Sequence, residues 1–312
     1  MRRRPSRASR SAALRTAGII AGQLRALGYE VTTGVGGTGV VAVLTAGDVP
    51  HNDVSPLGRG DRWSLFGSNS GPGFRFVQFK ADLPIGSDGT RATVMHDVMD
   101  YRLGAAFASL QASGGSQGTG LRVRHPWLLT RLSRVDMGLE AERRSLQDRK
   151  AVDGTLRDRS LVKLAAVVDG RWTDVAQDRV TTARVKLVSG RLRIHSAVDA
   201  AEDATSVRSQ GPFMLIDWDL AHLHRVASAA QVQFTYRGQR SNRNLDSSEK
   251  FGIGGPHAVR AFAPGEARGD HADLFGIEWQ QQFSPAVQGQ VFYDIGRVTF
   301  DHTPHGAPAA RH

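Results

Sequence analysis

The sequence has no cysteine, which excludes a disulfide framework and any thiolate metal centre. No run approaches the roughly 18 consecutive apolar residues of a membrane helix, so if the chain crosses a bilayer it must do so as a closed sheet. Negative charge is also short: 30 Asp and Glu stand against 40 Lys and Arg, a net charge of +10. Such a balance would suit a nucleic-acid binder. Here, however, the cations alternate with Asp and Glu and neither gather on one helix nor interleave with stacking aromatics, so nucleic acid is not expected as a partner. With 312 residues the chain has room for one large or two ordinary domains.

What is present, from about Trp63 onward, is a succession of segments near ten residues long, each broken by turn chemistry. In FRFVQFKADL (Phe74 to Leu83), Phe74 and Phe76 face one way and Arg75, Val77 and Phe79 the other. In AQVQFTYRGQ, Val232, Phe234 and Tyr236 share one face while Gln231, Gln233, Thr235 and Arg237 share the opposite one, as a strand between lipid and a wet lumen requires. VKLVSGRLRI reads as two strands around Ser189-Gly190, and LFGIEWQQQF with VQGQVFYDIGRV as a hairpin around Ser284-Pro285. The charged stretch Glu140 to Ser160 reads as a loop long enough to project into solvent.

Two stretches organise the rest. KFGIGGPHAVRAFAPGE (Lys250 to Glu266) is too rich in Gly and Pro for a regular element, yet it carries a single arginine, Arg260, between apolar Val259 and Phe262, where it needs an anion. FYDIG (Phe292 to Gly296) is strand-like, its only charge is Asp294, and Gly296 leaves space for close backbone approach.

In this order and spacing the two stretches resemble the signature loop and following strand of the two-partner secretion transporters, the haemolysin secretion and activation proteins of bacterial outer membranes. The similarity extends through PLGRGDRW (Pro56 to Trp63), LPIGSDGTRA (Leu83 to Ala92), YRLG (Tyr101 to Gly104), LRVRHPWLLTR (Leu121 to Arg131) and NLDSSEKFGIGG (Asn244 to Gly255), covering residues 47 to 312. It departs from the commonest motif at Ala261, where Gly is usual and the turn would be more permissive.

The alternation counts about twelve strands after a short α/β stub, and the resemblance implies an all-β fold, an antiparallel transmembrane β-barrel that closes about sixteen, here incomplete. It implies an outer-membrane location and export, without ATP or any cofactor, of a large unfolded partner of haemolysin or adhesin type by a monomeric protein. A loop spanning about 252–270 should fold inward, carrying Gly254, Gly255, Val259, Arg260, Ala261 and Phe262 toward a wall motif of Phe292, Asp294 and Gly296. Arg260 should pair with Asp294, leaving Tyr293 and Ile295 to face lipid. The family's partner-capturing domains and closing hairpins have no counterpart in the chain, so a fragment is expected.

The front end has another texture. Residues 1–11 read as a disordered basic tail without the apolar core or cleavage site of a signal peptide, so the start is expected to be wrong or truncated. Residues 12–46 read as helix, strand, turn and strand: Leu14, Ala17, Gly18, Ala21, Leu24 and Leu27 recur at helical spacing, and YEV and GVVAVL follow. This stub resembles the start of metal-dependent amidohydrolases of the aminoacylase and hippurate-hydrolase type, which leaves an enzyme relic as one alternative and a soluble β-rich binding module as another. His51 and Asp53 stand at ligand-like spacing but are too few for a catalytic metal. Gly34, Gly36 and Gly39 spell a dinucleotide fingerprint, but β-branched residues follow where a helix is required.

Elsewhere, Asp217, Asp219, His222 and His224 form alternating pairs that read as a lumen face passing into a turn. GSNSG puts Asn69 where a nucleophile elbow needs serine, and Glu140 and Glu142 lie among arginines as a solvated surface would. No catalytic residue and no metal ligand is expected.

Overall fold

The computed structural model describes residues 29–35, 39–44, 57, 59–69, 73–103, 109, 111–150, 154, 156–255, 258–263 and 266–305. Their strands are β1 (Tyr29–Val35), β2 (Gly39–Leu44), β3 (Arg62–Asn69), β4 (Phe74–Pro84), β5 (Arg91–Arg102), β6 (Ala112–Leu129), β7 (Ser133–Lys150) and β8 (Leu156–Asp174). They continue as β9 (Arg179–Ile194), β10 (Gly211–Ala227), β11 (Ala230–Ser241), β12 (Phe251–Gly252), β13 (Arg268–Gly269), β14 (His271–Ser284) and β15 (Val287–Thr299), with a short helix α1 (Ala197–Thr205) after β9. An 11-stranded sheet runs in the order β15-β14-β11-β10-β9-β8-β7-β6-β5-β4-β3. Strands consecutive in the sheet are consecutive in the chain except at β11 and β14, between which the glycine-rich loop and its own small β12-β13 pair are inserted.

The chain divides into two compact units, one of residues 1–123 with 142–161 and one of 124–141 with 162–312. In the second, alternation sorts the side chains. On β8, Ala165 and Val167 are buried, whereas Val162, Leu164, Val168 and Trp172 are exposed. Those outward residues span ten residue steps of about 3.3 Å, which at the tilt of a barrel strand covers the ~25 Å of a bilayer's apolar band. The opposite face is ionic: Glu140 accepts from Lys186 at 2.7 Å and lies 3.6 Å from Arg184, and Arg237 meets Asp219 at 3.0 Å. Short turns join β8 to β9, β10 to β11 and β14 to β15, where Ser284 pairs directly with Val287, while the long connections 195–210 and 242–270 leave from the other edge.

VKLVSGRLRI is one strand, not two: it lies within β9, with Ser189 opposite Met214 and Gly190 opposite Phe213. Gly190 provides space, not a turn, because a Cβ there would sit 2.3 Å from the Phe213 ring. Leu192, Val188, Phe213 and Leu215 are buried around it.

In the first unit, β3, β4 and β5 form a meander in which Arg62 opposes Asp82 and Pro84 opposes Arg91. Fully buried Asp61 accepts from the indole of Trp63 at 2.7 Å and from the backbone of Leu57 at 3.2 Å, which accounts for Asp61 and Trp63 in the PLGRGDRW motif. The expected projecting loop over Glu140 to Ser160 is instead mostly strand, with β7 running to Lys150 and β8 beginning at Leu156. The ladder continues because the charges on one face find partners on other strands of the sheet, across β6 from β7 to β5 or on the adjacent β8. Arg144 grips Asp97 with two donors at 2.8 and 3.0 Å, Tyr101 donates to Asp148 at 2.5 Å, and Arg159 also pairs with Asp148. Arg144 also donates to Glu142, two residues before it on β7, at 2.9 Å.

Strands β1 and β2 are an antiparallel hairpin, Tyr29 opposite Leu44. A strand therefore follows the glycine fingerprint, as the β-branched residues required. The expected helix before it, together with His51 and Asp53, lies outside the described residues.

Candidate transport-loop site

The base of the loop is held by the NLDSSEK motif. The Asn244 carboxamide donates to Val207 and Thr303 carbonyls at 2.7 and 2.9 Å and accepts from the Thr303 amide at 2.7 Å. Asp270, fully buried, accepts from the amides of Leu245 at 3.1 Å and His302 at 2.8 Å. Lys250 spans to Asp301 at 2.7 Å, and Glu249 accepts from Lys163 of β8 at 2.9 Å. Each charge in this knot has a partner, as its burial demands.

Beyond β12 the backbone folds on itself. The amide of Val259 donates to Ile253 at 2.9 Å and that of Gly255 to Phe262 at 3.0 Å. Gly255 has φ +121°, a conformation L side chains rarely adopt, and a Cβ on Gly254 would meet the Ala263 carbonyl oxygen at 2.1 Å. Positive φ among described non-glycine residues occurs at Gln111, Asp178 and Arg208, not at Ala261, so the alanine fits the turn without the freedom of the usual glycine. Ile253 and Val259 are buried, and Val259 lies where a Cβ on Gly296 would come within 3.0 Å of it, which explains glycine two residues after Asp294.

This fold aims Arg260 at the strand wall. Its guanidinium donates to both oxygens of Asp294, from Nε at 2.8 Å and from Nη2 at 2.9 Å, and its backbone amide adds a third bond at 3.2 Å. The remaining amine donates to Glu278 of β14, and the guanidinium carbon stands 3.3 Å from the centroid of the Phe292 ring. One cation thus meets two carboxylates on adjacent strands and an aromatic face, a fork geometry lysine does not supply. Hydrogen bonding to Asp294, then to Glu278, raises the Arg260 pKa above its already high value, so the charge persists at every pH the fold tolerates. Asp294 is 8% exposed and Arg260 24%, against 61% for Tyr293 and 52% for Ile295, which point to the opposite face.

Of the expected motif, Val259 and Arg260 meet Gly296, Asp294 and Phe292, Gly254 and Gly255 shape the turn within the loop, and Ala261 and Phe262 remain exposed. Glu278 went unread in the sequence, although the register that sets Gly276 opposite Asp294 and Glu278 opposite Phe292 puts it on the same face. Asp217 and Asp219 lie on the face of β10 opposite to His222 and His224, so the four do not converge; His222 instead bonds Thr181 at 2.8 Å. Among the described residues no cluster of three or more potential ligands could hold a metal ion.

Solved structures with this fold include CdiB from Escherichia coli (TM-score 0.69, 15% identity, covering 86% of this chain and 49% of that one). BamA from Haemophilus ducreyi lacking POTRA domains 1-3 is also similar (TM-score 0.58, 13% identity, 87% and 56%). Both are transmembrane β-barrels, and that is the class of this chain, an antiparallel all-β protein of the outer membrane. More particularly, the chain belongs to the haemolysin secretion/activation protein ShlB/FhaC/HecB family, whose model matches residues 54–308. The heme/hemopexin transporter protein HuxB of Haemophilus influenzae is 26% identical over 211 residues. That match takes in 66% of this chain and 37% of HuxB, so the chain spans little more than a third of the curated relatives it matches.

Proposed function

We propose that the chain works as the membrane-spanning part of a two-partner secretion transporter, passing a large haemolysin- or adhesin-like partner across the outer membrane by transport and not by catalysis. The observation that carries this reading is the loop docked by Arg260 onto Asp294 and Glu278: a polar gate element held on the ionic face of a sheet whose other face is apolar. The residues of the loop and of FYDIG would then control passage. An ionic face accommodates an extended polypeptide without offering it an apolar surface to stick to, and no nucleotide is needed for the step.

The test is the secretome of cells carrying the gene. Deleting it should remove one large protein from the medium and retain that protein in the periplasm, and complementation with the Arg260→Ala form should restore less export than the unmodified gene. A medium unchanged by the deletion would refute the reading.

A further inference from the structure

A second arginine cluster lies on the apolar face of the second unit, away from the transport loop. The exposed apolar residues stop at Tyr236 on β11, Phe275 on β14 and Ile295 on β15, and the next charged positions on that face are Arg240, Asp273 and Arg297. All three lie toward the edge from which the 242–270 connection leaves, the outward edge of a barrel whose short turns are periplasmic. Their level is that of lipid headgroups, marked also by the tilted pair of Trp218 and Tyr236 at 5.9 Å.

We propose that this ledge binds the phosphate of an outer-leaflet lipid. Arg240 is already positioned for it: one amine donates to the carbonyls of Gln239 and Ala272, each at 2.9 Å, the other donates to Asp273 at 2.6 Å, and the Trp218 ring backs the guanidinium at 5.4 Å. Tyr236 donates to the second oxygen of Asp273 at 2.9 Å. Asp273 therefore orients Arg240. Arg297, directly across the ladder from Asp273, makes no side-chain hydrogen bond or ion pair among the described residues. Between the two arginines is a cavity of 290 Å³ that His271 and Thr299 complete. Two guanidinium groups against one carboxylate leave a positive concavity, and the planar fork of arginine matches phosphate oxygens. The site accordingly takes a phosphomonoester at the membrane surface, its acyl chains lying along Phe275 and Ile295.

The inference rests on the outer-membrane reading, and the experiment separates the two. The chain, folded in detergent and checked for heat-modifiable migration, is titrated in native mass spectrometry with diphosphorylated lipid A, with the same lipid after phosphatase treatment, and with inorganic phosphate. Retention of the phosphorylated lipid alone is expected, reduced at least fivefold by Arg297→Gln and abolished by Arg240→Gln with Arg297→Gln. Arg297→Gln breaks no hydrogen bond or ion pair among the described residues and removes only the pull of its charge on Asp273, so it keeps the test open if the double variant does not fold. Equal retention by the unmodified chain and Arg297→Gln, equal retention of the dephosphorylated lipid, or equally tight binding of inorganic phosphate would each overturn the site. Loss of heat-modifiable migration in the unmodified chain would count against the membrane reading instead.

Discussion

Arg260 illustrates what a single residue can carry. A bidentate pair with an 8% exposed carboxylate differs from a surface ion pair, for which 0 to ~1 kcal/mol is typical, because removing one partner strands the other. Arg260→Ala and Asp294→Ala should each weaken docking of the loop by about 2–4 kcal/mol, read as faster proteolysis of the 251–263 segment, and the double variant should be no worse than either single. Additive losses would show that the two side chains act independently. Glu278→Gln keeps a hydrogen-bond acceptor and leaves Asp294 in place, so it should cost only about 1 kcal/mol in the same assay. The sequence displayed Arg260 and Asp294 because each is a lone charge in an apolar or glycine-rich setting. It concealed Glu278, which sits among glutamines in a strand and becomes visible only once the register with β15 is known.

At the scale of elements, short-range patterning revealed β4 and the β14-β15 hairpin, where turn residues coincide with the ends of alternation. It failed at Gly190 and over Glu140 to Ser160. A glycine in a strand looks like a turn unless the aromatic ring that fills its place is known, and Phe213 is a neighbour only through pairing of β9 with β10. Likewise, a run of charges looks solvated until the sheet brings counter-ions to the same face, as it brings Asp97 of β5 across β6 to Arg144 of β7. Gly190→Leu should therefore overpack β9 and cost roughly 1–3 kcal/mol, seen as a lower midpoint of heat-modifiable migration, and Phe213→Ala in the same chain should recover part of the loss. A full loss that Phe213→Ala leaves untouched would mean that the ring is not what the glycine accommodates.

For the whole molecule, the decisive property is which face of the sheet is apolar. On β8, Val168 is 42% exposed near the middle of the outward apolar run. In a soluble β-rich module an arginine at an exposed strand position would change stability by no more than about 0.5 kcal/mol. In a bilayer, Val168→Arg at mid-depth should cost about 2–4 kcal/mol, measured by denaturant unfolding from lipid vesicles. A near-zero effect in vesicles would refute a spanning role for β8. The β-rich character was legible from the alternation and the barrel from the family resemblance, whereas the length of β6, β7 and β8, at 18, 18 and 19 residues, was not, since their further portions are written in charges or, on β6, in glycine, serine and glutamine.

Arg260 holds Asp294 of β15 and Glu278 of β14 at once, so the loop is riveted through the last two strands in the sheet's order and not merely laid against them. Withdrawing the rivet leaves two carboxylates on neighbouring strands facing one another with no cation between them, and their repulsion acts on the ladder that joins the strands. Departure of the loop and loosening of that strand pair should then be one event. Amide hydrogen exchange offers the check: in Arg260→Ala, the β14-β15 amides nearest Glu278 and Asp294 should lose protection together with those of the loop, and Glu278→Gln should restore the strand amides while the loop remains free.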